Sequence, residues 1–322
     1  MTTGTAPPAS ARAPMLRSLF IGPLGVRAGW RFLGFMALLM GIAAVIELAL
    51  RPFMPREVGW SAKWFLVGKA LTFAVAAAVT AIVARIEKRP PAAYGIPVRQ
   101  AFGGAFWVGT LWGMVAVTAL IAMIAVLGGL RITGIDPGMA FGTSMLWLLA
   151  MVFVGLVEEI AFRGYPLWAL ARGMGFWPAA ILLSLGFGAL HFFGKPYENL
   201  TDFTSVTLIG LFFCFTLRRT GNLWWAIGFH FAFDFAALVL FAAPNSGNDG
   251  NSLPGHILNV AYTGPAWLTG GKLGIEASLL VFVVIAVLYV AFARAYPDTR
   301  WPFADDRPRA VPSATEPEPA LS

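Results

Sequence analysis

The sequence has little that could be titrated. One cysteine, three histidines and five lysines stand in 322 residues, and only 12% of positions carry charge. A single thiol, Cys214 inside an apolar run, excludes an intrachain disulfide and leaves the redox compartment open. No glycine-rich phosphate loop and no internal repeat is visible, which speaks against a phosphate-loop site and a solenoid. The net charge of +7 comes from Lys and Arg scattered at the ends of apolar runs, so it describes topology rather than a nucleic-acid surface.

What the chain has instead is apolar length. Hydrophobic residues make up 58% and mean hydropathy is +0.73, the range of polytopic helical membrane proteins. The expected fold is all-α, with about eight transmembrane helices around a polar site in the bundle core. Spans are expected near 31–50, 64–84, 104–130, 143–170, 176–194, 204–217, 222–243 and 277–293, the fourth continuing through Pro166 with a kink to a turn at Gly173–Gly175. Residues 1–27 read as a disordered basic arm, 28–296 as one helical membrane domain with a motif core at about 143–241, and 297–322 as a disordered tail. Glu87–Gln100, with two adjacent prolines, reads as a surface linker, and the Gly- and Asn-rich stretch from Pro244 to Glu276 as an outward loop whose His256 is an ordinary loop histidine. Gly109 and Gly113 form a GxxxG, a weak packing signal on its own.

An even number of spans puts both termini on one side. With that side inside, the 23 Lys and Arg residues all fall in inside segments except Arg51, Arg56, Lys63, Lys69, Arg131, Lys195 and Lys272. The bias favours cytoplasmic termini. The Ala-, Gly- and Arg-rich composition suggests a bacterium, so the expected location is the bacterial plasma membrane, multi-pass.

Against this apolar background the polar residues stand out. Glu158 and Glu159 end an apolar run, with Arg163 following. Glu159 and Arg163 are four apart in the favourable acid-first order for an intrahelical pair, while Glu158 points about 100° away, free for chemistry. His191 sits in a second span, and His230 and Asp234 share a face of a third. Ionisable groups in membrane segments are functional by default. Two chemistries fit. Glu158 as general base on a water, with an imidazole assisting and other polar groups stabilising an oxyanion, hydrolyses an amide. His191, His230, Glu158 and Asp234 around one divalent metal, zinc among the candidates, do so with a metal-bound water.

The pattern resembles a known family. EEIAFR at Glu158–Arg163 is similar to the EExxxR motif of the CAAX protease and bacteriocin-processing family of intramembrane endopeptidases, also called the Abi family, related to the Ras-converting CAAX endopeptidase. FGALH at Phe187–His191 resembles its FxxxH and HFAFD at His230–Asp234 its HxxxN. The resemblance implies eight helices, a cavity open to the cytosol, and cleavage of a peptide near its C-terminus by a glutamate-activated water. It implies Glu158 as base, Glu159 and Arg163 as a supporting pair, His191 as partner on the water, and His230 with position 234 as oxyanion stabilisers. Asp234 departs from the family's Asn: an ionised Asp cannot donate to an oxyanion, so it must be protonated, orient His230 or bind a metal. The signatures HExxH, GxSG and GxGD of other intramembrane proteases are absent. The competing reading is a non-catalytic membrane protein of the same fold, a scaffold, immunity or lipid-binding factor. Expected partners are the lipid bilayer and a peptide or lipidated protein, not nucleic acid; the expected cofactor is none or one divalent metal.

Overall fold

The computed structural model describes residues 18–22, 25–53 and 61–301. A short antiparallel ribbon, β1 (Ile21–Gly22) with β2 (Gly25–Val26), precedes the first helix. The long apolar runs are helices because a helix satisfies every backbone N–H and C=O within its own segment, as hydrocarbon requires. In order these are α1 (Ala28–Leu50), α2 (Ala62–Glu87), α3 (Gly104–Val126), α4 (Phe141–Arg163), α5 (Tyr165–Met174), α6 (Phe176–Gly194), α7 (Leu200–Thr220), α8 (Trp224–Asp234, running on as a π-helical turn, Phe235–Leu240) and α9 (Leu280–Ala295). The chain is an all-α polytopic membrane protein. Among the described residues six helical stretches are long and apolar enough to cross a membrane, and two shorter apolar helices, Trp224–Leu240 and Leu280–Ala295, stand where the seventh and eighth spans are expected.

The fourth expected span is broken in two. α4 stops at Arg163 and α5 begins at Tyr165, with Gly164 between them at ψ −124° and Pro166 in the first turn of α5. A Cβ on Gly164 would lie 2.6 Å from the Ile160 carbonyl oxygen, so this break needs glycine. α5 then packs against α1 and α6.

The bundle has two distinct ends. At the basal end the segment after α2, the α7–α8 turn and the chain beyond α9 meet. Leu223 donates its N–H to the Gly95 carbonyl (2.8 Å), Trp224 Nε1 donates to Pro97 O (3.1 Å), and Trp301 Nε1 donates to Ala93 O (3.2 Å). At the opposite end residues 244–276 form a cap. Within it β4 (Leu258–Tyr262) pairs antiparallel with β3 (Leu130–Ile135), with a bulge between Ile132 and Gly134. Trp147 Nε1 donates to Pro254 O (2.8 Å) and Ser246 Oγ to Glu198 (3.0 Å), tying the cap to α4 and to the α6–α7 turn.

Three sequence expectations change here. Glu87–Gln100 is no surface linker: Tyr94 is fully buried, with its ring edge-on to Tyr165 (5.2 Å) and Trp168 (5.0 Å). The outward loop is the folded cap, and its His256 donates from Nδ1 to Leu253 O (2.7 Å), as a loop histidine does. The chain after Tyr296 stays packed at least to Trp301, which is fully buried. Residues 1–17 and 302–322, the bulk of the expected arm and tail, lie outside the described residues.

The GxxxG has a concrete use. A Cβ on Gly109 would sit 2.0 Å from Trp225 O, one on Gly113 2.4 Å from Phe229 O, and one on Gly228 2.0 Å from Phe106 O. Glycines on both helices thus bring the α3 and α8 backbones together, the small-residue packing that substitutes for a hydrophobic driving force in lipid. That contact fixes α8, which carries His230 and Asp234.

Candidate active site

The site begins with a buried ion pair. Glu159 and Arg163 on α4 are both fully buried, with Arg163 Nη1 donating to Glu159 Oε1 at 3.2 Å. An isolated charge in this interior is costly, so removing either partner exposes the other to the full desolvation penalty. Space for the guanidinium comes from Gly210 on α7, where a Cβ would stand 2.5 Å from Nη2. The Arg163 Nε and Nη2 find no hydrogen-bond partner among the described residues. Instead the guanidinium lies 4.3 Å from the Phe187 ring centroid, a cation–π contact that partly replaces hydration.

Upon this pair sits His230. Its Nδ1 is 2.9 Å from the same Glu159 Oε1. A carboxylate bound to arginine accepts, so Nδ1 carries the proton and Nε2 is turned to the other side of the ring. There it faces Glu158 Oε2 at 3.7 Å and Asp234 Oδ2 at 3.5 Å. Phe213 stacks on the imidazole with centroids 5.6 Å apart, holding the plane. Glu158 in turn has Lys69 Nζ 3.5 Å from its Oε1. On α6, His191 Nδ1 is 3.0 Å from the Phe187 carbonyl. A carbonyl only accepts, so this imidazole is also fixed with Nδ1 protonated and Nε2 available.

Glu158, His191, His230 and Asp234 all line one cavity of about 150 Å³. Roughly 10–15 Å³ of such space admits a water, so several fit. The cavity is built from α2, α4, α6 and α8, with the Pro244–Asn245 and Leu273–Glu276 parts of the cap over it. An apolar annex adjoins it between α7, α8 and α9, lined by Ile209, Phe213, Val284 and Leu288 and sharing His191, His230, Asp234 and Glu276 with the polar chamber.

Lys69, Lys195, Asn245 and Glu276 also face the cavity and were not singled out from the sequence. Lys69 carries a signal, as a charge inside the apolar run at 64–84, but reads there as part of the topological charge balance. Lys195, just past α6, feels opposing influences: burial pulls its ammonium down, and Glu276, Glu158, Asp202 and Glu198 outweigh this and hold it above its ordinary value. The cap residues have no local signal, since the fold brings them over the site.

Among the described residues no group of three or more His, Cys, Asp and Glu donors could hold a metal ion. His230 Nδ1 bonds Glu159 and His191 Nδ1 bonds a carbonyl, which leaves Nε2 as the remaining donor atom of each ring.

This geometry lies within a stretch of known kind. Residues 140–236 match the family model of type II CAAX prenyl endopeptidase Rce1-like proteins. Over that segment the chain is similar to the CAAX endopeptidase family. Neither a curated protein nor a solved structure matches it. The match spans all six polar residues, from Glu158 on α4 to Asp234 on α8, and so covers the α4, α6 and α8 walls of the cavity, while α2 and the cap lie outside it. The matched family is one of proteases, which supports a membrane-embedded hydrolase.

Proposed function

We propose that the chain is an intramembrane endopeptidase in which Glu158 activates a water for attack on a peptide carbonyl. The observation that carries this reading is the position of His230, clamped by Glu159 at 2.9 Å on one nitrogen and directed at Glu158 and Asp234 by the other.

The division of labour follows from which groups are already engaged. Glu159 and Arg163 neutralise each other and serve as the support of His230. Glu158, partly open to the cavity at 18% side-chain exposure, is the carboxylate that a water can reach. As general base it takes the proton of that water as oxygen attacks the carbonyl carbon. His191 presents an unprotonated Nε2 to the same chamber and so accepts a second hydrogen bond from the water, aiming its lone pair. His230, with a proton on Nε2, donates to the oxyanion that forms when the carbonyl π pair moves to oxygen. Collapse of that intermediate breaks the C–N bond, and Glu158 returns its proton to the departing amine.

Asp234 fits here as an orienting group. At 3.5 Å from His230 Nε2 its carboxylate favours a protonated ring nitrogen there, which the amide of an Asn would not do. Lys69 supplies the counter-charge that lets Glu158 remain in an apolar surrounding. The adjoining apolar annex would take a hydrophobic side chain or lipid of the substrate.

Purified protein carrying Glu158→Gln tests the reading, because it keeps shape and removes the base. Cleavage of a quenched peptide library should vanish while the melting temperature holds. Wild-type activity should also survive chelator. Loss of cleavage in chelator together with about one metal per chain would replace the glutamate mechanism by a metal-bound water.

A further inference from the structure

The charge bias of the sequence and the resemblance give opposite answers to one question: which side of the membrane feeds the cavity. The bias places the ends of the bundle in the cytoplasm, while the resemblance implies a cavity open to the cytosol. In this fold both cannot hold, because the cavity reaches the end opposite to the one where residues 27–31 and 296–301 lie.

The cavity's depth can be counted along its walls. Lys69 is seven residues from the cap-side start of α2, His191 three from the cap-side end of α6, and His230 ten from the end of the π-helical turn at Leu240. At about 1.5 Å per residue these lie roughly 10, 5 and 15 Å below the cap end. Polar groups therefore step down one wall from the cap, ending in Lys195, Asn245 and Glu276 at its mouth. The opposite direction is closed. Glu159, Arg163, Tyr165, Leu167 and Trp168, on the basal side of Glu158, are each no more than 2% exposed.

Basic residues choose the other end. Arg85, Lys88, Arg89 and Arg99 flank the segment after α2, Arg218 and Arg219 end α7, and Arg294 and Arg300 bracket the end of α9, all basal. The cap end carries Arg51, Lys63, Arg131, Lys195 and Lys272, dispersed over four connections. Positive charge in short connections marks the cytoplasmic side.

We infer that the basal end faces the cytoplasm and the cavity opens on the far side, so that its substrate is a polypeptide segment already exported or anchored at the outer leaflet. The reaction class that must supply such a substrate is membrane translocation. Naming this substrate class rests on the hydrolase reading above; the orientation itself does not.

Two variants, each with one added cysteine, read the orientation directly, with the parent chain as blank because its Cys214 is fully buried. Asn251→Cys lies exposed on the cap and Val98→Cys exposed at the basal end, neither in the cavity. In sealed spheroplasts, a sulfonated membrane-impermeant maleimide should label Asn251→Cys at least about tenfold more than Val98→Cys, and permeabilisation should equalise them. Preferential labelling of Val98→Cys, or equal labelling in sealed cells, overturns the inference. Fusions at Ser322 give an answer that needs neither variant: a fluorescent protein should light up and alkaline phosphatase should stay inactive, and the reverse again overturns it. Peptide added to sealed spheroplasts then separates the two readings. Cleavage supports both, whereas the expected labelling without cleavage on either face would leave the orientation standing and overturn the hydrolase.

Discussion

Glu159 and Arg163 show how much a single pair decides. Because both side chains are fully buried and touch at 3.2 Å, Arg163→Ala leaves a carboxylate in the interior with only the His230 imidazole beside it among the described residues. The expected loss is about 3–5 kcal/mol of stability, read as a fall in melting temperature or in yield of folded protein. An unchanged melting temperature would mean that water reaches the pair. His230→Ala should behave differently, inactivating with a smaller stability loss, since Glu159 keeps Arg163. Lys69→Met probes the counter-charge beside Glu158. Cleavage should fall while the Glu159–Arg163 support stays intact, and a variant with full activity would reduce Lys69 to a wall residue. Most of these groups are legible in the sequence because ionisable residues in apolar runs stand out, and the spacing of Glu159 and Arg163 alone specifies their contact. Lys69 is hidden for the converse reason, since a lysine within ten residues of a helix end looks like a topological marker. Asp234 stands out in the sequence as well, as the charged residue four positions after His230, and its carboxylate lies 3.5 Å from the His230 ring.

At the scale of elements, the lesson concerns where helices stop. Read from sequence, the fourth span runs to a turn near Met174, which puts Glu158 about 25 Å from that turn and His230 about 13 Å from the same side, a mismatch of roughly 10 Å. The break at Gly164 removes most of it. Glu158 lies five residues from the end of α4 and His230 six from the start of α8, so both sit about 8–9 Å from the basal end of their helices. Pro166 is visible in the sequence; that α5 becomes a separate helix against α1 is not, because it depends on packing between distant segments. The α3–α8 contact is likewise hidden in a GxxxG that chance could have supplied. It predicts that Gly228→Ala, whose Cβ would meet Phe106 O at 2.0 Å, lowers the melting temperature by the equivalent of about 1–3 kcal/mol or more and weakens activity through α8. Gly186→Ala on α6, where a Cβ meets nothing within 4 Å, should be neutral or slightly stabilising. Equal effects of the two substitutions would remove the packing argument.

At the scale of the whole molecule, the cap and the basal end are the least legible parts. Composition marks Pro244–Glu276 as loop, and nothing local says that β4 will pair with the distant β3, or that Asn245 and Glu276 will line the cap-side rim of the polar chamber. At the basal end a single tryptophan in a polar tail is the available hint. Trp301 is fully buried and bonded to Ala93, so Trp301→Ala should lower stability by about 3–5 kcal/mol as measured by thermal unfolding in detergent. A negligible change would place this segment outside the folded domain. The membrane character and the helical class need none of these details, since they follow from run length and the scarcity of charge.

The central claim is that Glu158 activates the water that cleaves a peptide. The most direct measurement compares purified wild type and Glu158→Gln on one peptide library, with products read by mass spectrometry and folding monitored by melting temperature. The account predicts cleavage by the wild type, a rate lower by at least about 10²–10⁴-fold in the variant, and matching melting curves. Equal cleavage by two equally folded proteins would contradict it.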